Sequence, residues 1–170
     1  MGKEARTMAM RVLDAHKITY QVHRFSDKIR DAKQVAAELG ISPSQVFKTL
    51  VLLRKDPPQA RPLLVMLPAD REVDLRRFAR AIGTKSVQMA GQAQAEQLTG
   101  LKVGGISALA LLHRPFEVYL DEHALVYEQI LVSGGQRGVD LQLKVTDLLK
   151  VTKAQLVTAT MPDAENYSGV

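Results

Sequence analysis

The sequence predicts an α+β fold in which a mixed, mostly antiparallel sheet is surrounded by helices. Strand-like and helix-like segments follow one another along the 170 residues without the strict alternation of a parallel sheet. Hydrophobic residues make up 46% of the chain and charged residues 24%, a composition typical of a globular protein. We find no internal repeat and no low-complexity linker. We therefore expect one domain over residues 1–160, followed by a flexible tail at 161–170.

The first half of the chain contains three predicted helices and three predicted strands. Apolar residues recur at helical spacing in the first segment, and apolar and polar residues alternate in the next one. Asp31 and Asp74 each precede a helical segment as N-cap candidates, and a glycine follows each of these helices. Pro43 suits the start of a further short helical turn. The helices are predicted at residues 5–17, 32–39 and 75–82, and the strands at 18–23, 46–53 and 62–68.

The strand at 46–53 is apolar on both faces, which indicates an interior strand that pairs with 62–68 as a hairpin. The second half of the chain has shorter elements. We expect a helix at 91–98, a last helix at 145–150, strands at 86–89, 116–120 and 128–132, and a short extended piece at 139–141.

Charge is unevenly distributed along the chain. Residues 1–85 carry 17 lysines and arginines against 9 acidic residues, whereas residues 86–170 carry 6 against 9. A basic half favours a polyanionic partner such as a nucleic acid, but solubility alone accounts for it equally well. The exposed face of the helix at 75–82 adds Arg76, Arg77 and Arg80 to the basic half.

The composition excludes several kinds of site. The chain has no cysteine, so it forms no disulfide, no thiolate metal site and no cysteine nucleophile. The four histidines lack a paired metal-ligand spacing, and we expect no metal and no cofactor. No phosphate-binding or dinucleotide-binding glycine motif is present. The charged start of the chain and the short apolar runs predict a cytoplasmic protein that does not bind a membrane.

Lys48 is the first candidate for a functional residue. It lies in the apolar strand at 46–53 and shares a face with Val46, Leu50 and Leu52, where an unpaired lysine is costly to bury. Such a lysine either extends to water at the end of the strand or lines a pocket as the cation for a phosphate or a carbonyl group. Both interpretations stay open at this point.

Two glycine pairs, at 104–105 and 134–135, are the next candidates. Both stand beside apolar, strand-like residues. Paired glycines allow the backbone to approach a ligand and direct N–H groups at an oxyanion, although tight turns are their more frequent role.

Four segments that contain these candidates resemble the YbaK family of aminoacyl-tRNA deacylases, specifically its Cys-tRNA(Pro) deacylase branch. The segments are residues 45–50, 74–83, 99–107 and 132–140. Their order and spacing match the family over roughly residues 10–155. The resemblance implies a sheet curved like a partly open barrel and an enzyme that clears mischarged amino acids from tRNA. It also implies work in trans beside prolyl-tRNA synthetase, because a proline pocket rejects amino acids of similar size poorly.

The resemblance also assigns roles to residues. Lys48 would contact the tRNA 3′ end or the substrate ester, the backbone from Gly104 would polarise the ester carbonyl, and Asp140 would engage the aminoacyl amine or the terminal ribose. The catalytic candidates are Lys48, Gly104, Gly105, Ser107 and Asp140. The substrate-binding candidates are Phe25, Ile106, Ser133, Gly134, Gly135, Arg76, Arg77 and Arg80.

In this branch the resemblance implies that the thiol of the substrate cysteine attacks its own ester, so that the enzyme positions the groups and stabilises the oxyanion. The chain departs from the family pattern at Phe25, where a tyrosine is expected, and at residues 108–110, where a proline and a glycine are missing. The changed residues after Ser107 leave one alternative, a water-mediated deacylase of Ala-tRNA or Ser-tRNA. The basic first half of the chain leaves another, a non-catalytic adaptor that binds tRNA or prolyl-tRNA synthetase.

Overall fold

The computed structural model describes residues 6–57 and 59–162, which form five α-helices, eight strands and two short 3₁₀ helices. The helices are Met8–Ala15 (α1), Ala32–Leu39 (α2), Leu75–Ile82 (α3), Gln92–Thr99 (α4) and Val145–Thr152 (α5). The strands are Gln21–Arg24 (β1), Phe47–Arg54 (β2), Leu63–Pro68 (β3), Val87–Met89 (β4), Glu117–Asp121 (β5), Gln129–Ser133 (β6), Val139–Lys144 (β7) and Gln155–Val157 (β8). The 3₁₀ helices are Leu109–Leu111 and Glu122–Val126.

Side-chain caps decide where the first three helices begin. The side chains of Asp31 and Asp74 accept hydrogen bonds from backbone N–H groups in the first turns of α2 and α3, so both helices have the predicted bounds. Helix α1 begins at Met8, where the Thr7 side chain caps it by accepting a hydrogen bond from the N–H of Met10; the predicted start at residue 5 lies outside the described residues.

The strands form two sheets where one was expected. Their orders are β1-β7-β6 and β4-β2-β3-β5-β8, and four of the six pairings are antiparallel, while β3–β5 and β5–β8 are parallel. A parallel bridge between Val46 and Leu131 joins the sheets, and the N–H of Leu131 donates to the carbonyl of Gln45 over 3.0 Å. The two sheets are thus joined at this bridge without closing, and the predicted mixed, mostly antiparallel α+β fold is confirmed.

Strand β2 lies between β3 and β4, as its apolar sequence predicts. Phe47 and Val51 pack into one hydrophobic cluster, with α1 and residues of the β6–β7 pair. Leu52 packs into a second cluster on the other face, with Phe78 of α3. Because both faces of β2 are covered, its sequence lacks the alternation of a half-exposed strand.

The structure differs from the prediction in three short segments. The helical turn after Pro43 is only a hydrogen-bonded turn, in which the N–H of Gln45 donates to Ser42, because the bridge at Val46 follows immediately. The extended piece predicted at 139–141 continues to Lys144, because the polar residues at its end still pair with β6. Strand β8 was not predicted, because three residues carry too little pattern to mark a strand.

The end of the described chain is still attached to the fold, since the N–H of Met161 donates to the carbonyl of Glu72 over 2.8 Å. The rest of the predicted tail, residues 163–170, lies outside the described residues. Within residues 6–57 and 59–162, no helix is long and apolar enough to cross a membrane.

Candidate functional site

A cavity of about 200 Å³ lies between strand β2, the adjoining ends of β6 and β7, and the loops before α2 and after α4. It contains six of the predicted site residues, which come from five separate parts of the chain. They are Phe25, Lys48, Gly104, Ile106, Ser133 and Asp140. The other lining residues are Arg30, Asp31, Ala32, Val35, Phe47, Thr49, Leu50 and Val103.

Lys48 brings a cation to this cavity. It sits near the start of β2, opposite Leu67 of β3, and its side chain is 23% exposed. Its Nζ lies 3.8 Å from Oε1 of Glu72, whose side chain is 76% exposed. An ion pair with so exposed a partner is weak, so the ammonium group stays available to a ligand in the cavity.

Asp140 is the buried acid of the cavity. It is the second residue of β7, it pairs with His23 and Ser133, and only 7% of its surface is exposed. Burial raises the pKa of its carboxyl group from 3.8 to about 7, and no described residue donates a hydrogen bond to that group. A carboxyl group with a perturbed pKa in a cleft is typical of a functional site.

Gly104 places its backbone in the cavity wall. Its φ of +94° is one that glycine adopts without strain. The N–H groups of Gly104 and Ile106 donate to no described residue, whereas the N–H of Gly105 is bonded to the carbonyl of Lys102 over 2.8 Å. Among the residues of this wall that line the cavity, the unbonded N–H groups therefore belong to Gly104 and Ile106.

Two hydrogen bonds hold the Gly104 loop in place. The N–H of Val103 donates to Oε2 of Glu96 on α4 over 2.8 Å, and Nε of Arg137 donates to the carbonyl of Val103 over the same distance. The loop is thus fixed both to the helix before it and to the β6–β7 connection. A wall held from two sides keeps its N–H groups in position for a ligand.

Four other predicted residues lie behind the cavity wall. Ser107 is 1% exposed, and its Oγ accepts a hydrogen bond from the N–H of Ala110. Gly134 packs against Val139, and the N–H of Gly135 donates to Oγ of Ser133. With Gly105, these residues support the wall without lining the cavity.

The three predicted arginines of α3 are not brought to the cavity. Arg76, Arg77 and Arg80 lie on the exposed face of the helix, as its pattern predicts. Nη1 of Arg77 donates to the carbonyl of Thr160 over 3.1 Å, and this bond ties α3 to the end of the described chain.

Arg30 and Thr49 are among the eight lining residues that sequence reasoning did not assign to the site. Arg30 stands in a loop that looked merely polar, immediately before the Asp31 cap. Thr49 follows Lys48, and its Oγ1 is buried with no hydrogen-bond partner among the described residues. The only available signal for Arg30 was its position next to a helix start, where the chain turns toward the sheet.

A second, larger cavity of about 530 Å³ lies at the far end of the β6–β7 pair. It is lined by His16, Lys17, Ile18, Thr19, Gln129, Lys144, Asp147, Lys150 and Val151, and it contains none of the predicted site residues. The smaller cavity is the better candidate site, because it combines a buried acid, a lysine and free backbone donors. Among the described residues, no group of three or more His, Asp or Glu side chains is placed to hold a metal ion.

Comparison with known families identifies the chain. The family model of the aminoacyl-tRNA editing domain matches residues 26–151, which include every residue lining the smaller cavity except Phe25. The chain belongs to the aminoacyl-tRNA editing domain family. The predicted family is therefore confirmed, and the protein is an aminoacyl-tRNA deacylase.

Two relatives show how far the similarity extends. EbsC of Enterococcus faecalis is 34% identical over 159 residues, which cover 92% of this chain and 94% of that protein. That protein has the provisional name Cys-tRNA(Pro)/Cys-tRNA(Cys) deacylase. The multifunctional Ser/Thr-tRNA deacylase ProXp-y of Escherichia coli K12 is 27% identical over 119 residues, 69% of this chain and 71% of that protein.

Solved structures agree on the fold of this editing domain. Hypothetical protein APE2540 superposes with a TM-score of 0.82 at 22% identity and covers 91% of this chain and 100% of its own. A structure described as a trans-editing enzyme for prolyl-tRNA synthetase has a TM-score of 0.75 at 24% identity, with 94% and 100% covered. At these identities the structures support the fold alone.

Proposed function

We propose that this editing domain acts in trans to remove cysteine from Cys-tRNA(Pro). The observation that supports the proposal most is the meeting of Lys48, the Gly104 backbone and Asp140 in one small cavity. An aminoacyl ester offers a carbonyl oxygen, a ribose oxygen and an amine to just these kinds of group. The choice of cysteine rests on the 34% identity to EbsC across nearly the whole chain.

In the proposed reaction the substrate supplies the nucleophile. The sulfur of the cysteine side chain attacks the carbonyl carbon of its own ester, forming a C–S bond. The bond to the ribose oxygen then breaks, and the thiol proton passes to that oxygen. The products are tRNA with a free terminal hydroxyl group and a cyclic cysteine thiolactone. An attack within one molecule gains its rate from positioning, which a rigid cavity provides.

Three groups of the cavity divide the remaining work. The N–H groups of Gly104 and Ile106, which donate to no described residue, stabilise the negative charge that develops on the carbonyl oxygen. Lys48 binds the ester or the tRNA 3′ end as a cation. Asp140 binds the α-amino group, and the ammonium form of that group favours the ionised carboxylate.

Deacylation of tRNA(Pro) charged with cysteine, serine, alanine or proline tests the proposal. We expect the protein to release cysteine and to act more than about 100-fold more slowly on serine, because a hydroxyl group is a much weaker nucleophile than a thiol. Lys48→Ala should lose most of the activity, while Lys33→Ala, at an exposed lysine of α2, should retain it. Mass spectrometry should detect the thiolactone.

Two outcomes would contradict the proposal in different ways. Equal rates with cysteine and serine would argue for attack by water, and the 27% identity to a Ser/Thr-tRNA deacylase makes that hydrolytic alternative the second candidate. Binding of tRNA without release of any amino acid would favour the adaptor hypothesis.

The proposed partner is prolyl-tRNA synthetase, and the proposed location is the cytoplasm, where tRNA is charged. A proline–tRNA ligase of Caldicellulosiruptor bescii is 24% identical over 131 residues, which are 76% of this chain but 21% of the ligase. We also propose that residues 1–160 act as one domain. Co-purification of the chain with prolyl-tRNA synthetase, with and without tRNA, tests the partnership.

A further inference from the structure

We propose that Arg30 and Arg137 form a phosphate-binding subsite at the mouth of the cavity. Its ligand would be the phosphodiester that joins the terminal nucleotide of the tRNA acceptor end to the preceding nucleotide. The inference rests on the proposed function, because it takes the aminoacylated end of a tRNA as the occupant of the cavity.

Gly104 brings the two arginines to the same place. A Cβ atom built on Gly104 would lie 3.3 Å from Cβ and 3.4 Å from Cγ of Arg30, and 3.5 Å from Cγ of Arg137. Arg30 comes from the loop before α2, and Arg137 comes from the connection between β6 and β7. The aliphatic parts of both side chains therefore lie against Gly104; Gly104 and Arg30 line the cavity, and Arg137 adjoins it through this contact.

Both guanidinium groups have donors to spare. Arg30 is exposed, lines the cavity, and makes no hydrogen bond or ion pair with any described residue. Arg137 is half-buried and donates through Nε to the carbonyl of Val103, while its two Nη groups donate to no described residue. Arginine is permanently charged, and its planar fork of N–H groups matches the oxygens of a phosphate.

The size of the cavity places a phosphate at its mouth. Its volume of about 200 Å³ is below the roughly 300–1,000 Å³ of pockets that enclose drug-sized ligands. In the proposal the amino acid and the ribose that carries it occupy this space, and the rest of the nucleotide extends outward. The neighbouring Asp31 accepts a hydrogen bond from the N–H of Lys33 at the start of α2 and forms no ion pair with Arg30.

Two substrates that differ in the phosphate test the subsite. Cys-tRNA(Pro) contains the phosphodiester, and cysteinyl-adenosine ends at the terminal nucleoside and lacks it. We expect Arg30→Gln to lower kcat/KM for Cys-tRNA(Pro) at least about tenfold, and to change that for cysteinyl-adenosine less than twofold. For Cys-tRNA(Pro), log kcat/KM decreases as log salt concentration rises. This negative slope should be less steep by about 1 in Arg30→Gln than in the wild type, as expected for one lost phosphate contact.

Arg11→Gln is the matched control, because Arg11 is an exposed arginine of α1 that does not line the cavity. Equal effects of Arg11→Gln and Arg30→Gln, or equal losses with both substrates, would overturn the role of Arg30. Arg137→Gln should also affect Cys-tRNA(Pro) selectively. An equal loss with both substrates would assign Arg137 only the positioning of the Gly104 loop through Val103.

A binding measurement separates this inference from the proposed activity. Fluorescence anisotropy is recorded with uncharged tRNA(Pro) and with the same tRNA lacking its terminal adenosine and that phosphate. Arg30→Gln should weaken binding of the intact tRNA alone. Suppose that Arg30→Gln weakens binding of the intact tRNA alone, but the wild-type protein releases no amino acid. The proposed function then fails and the subsite stands. If it deacylates and Arg30→Gln binds both tRNAs as the wild type does, the subsite fails.

Discussion

Two walls of the cavity contain a glycine pair each, and they use it differently. The loop wall, residues 103–107, turns the backbone of Gly104 toward the cavity. The hairpin wall, residues 133–140, turns the side chains of Ser133 and Asp140 toward it and keeps its glycines behind. The loop wall thus offers backbone donors to a ligand, and the hairpin wall offers a carboxyl group.

The walls meet at Gly105. A Cβ atom built there would lie 2.8 Å from backbone atoms of Gln136 and Arg137, closer than side chains approach a backbone. In the hairpin wall the tight contact is instead internal, since a Cβ on Gly134 would lie 2.6 Å from Cγ1 of Val139. Similar sequence motifs therefore serve contact between walls in one case and packing within a wall in the other.

The largest expected effect concerns the carboxyl group of the hairpin wall. The folded protein keeps the proton of Asp140 up to a pH of about 7, whereas the unfolded chain loses it near 3.8. Stability from the protonated form is therefore fully present below pH 3.8 and is lost as the pH rises to 7. Asp140→Asn should stabilise the protein by up to about 4 kcal/mol at pH 8 and hardly at all below pH 4. Urea unfolding at both pH values measures this difference, and a gain independent of pH would contradict it.

Gly105→Ala should have the next largest effect. The atoms nearest to the new methyl group would be backbone atoms of the hairpin wall, so the two walls must separate. We expect a loss of about 3 kcal/mol in the free energy of unfolding, together with most of the deacylase activity. Thermal unfolding and deacylation of Cys-tRNA(Pro) check both parts. A fully active, stable variant would show that the walls need not touch.

Gly134→Ala should cost somewhat less, about 2 kcal/mol, because the clash is mainly with a side chain. In the double variant Gly134→Ala/Val139→Ala the clashing side chain is shorter. The double variant should therefore lose less stability than the sum of the losses in the two single variants. A double-mutant cycle in urea measures this coupling. If the losses of the two single variants simply add in the double variant, Gly134 and Val139 do not pack against each other as described for the hairpin wall.

Gly104→Ala should change stability least, by about 1–2 kcal/mol, through its φ of +94° and the contact with Arg30. The loss of deacylase activity should be larger than the loss of stability predicts, because the methyl group lies at the cavity and turns the backbone N–H donors away from the ester. We expect kcat to fall at least about tenfold. Loss of stability with normal kcat would place the oxyanion donors elsewhere.

Local signals account for the parts of the fold that the sequence analysis predicted well. Helices α2 and α3 have the predicted bounds because an Asp cap and a following glycine act within one turn of the helix. Strand β8 is different, since only its pairing with β5 defines it. The division into two sheets likewise depends on which distant strands pair, and hydrophobic patterns do not encode that.

The candidate site divides in the same way. Lys48 stood out because a charged residue in an apolar strand is unusual, whereas Asp140 was assigned by the family resemblance, and both line the cavity. Arg30 gave no such signal, since an arginine in a polar loop is ordinary, and only the fold brings it against Gly104. The arginines of α3 looked equally suitable as ligands for RNA, yet the packing of that helix turns them away from the cavity.

The small volume of the cavity has a consequence for how correct products survive. Cysteine and proline are of similar size, so a space of about 200 Å³ that admits one discriminates only weakly against the other by size. Under the proposed mechanism refusal is unnecessary. Prolyl-tRNA could enter and leave unharmed, because proline carries no group able to attack its own ester and the chain contains no cysteine to do so. Of the two amino acids, only the mischarged cysteine would carry a nucleophile able to cleave its own ester.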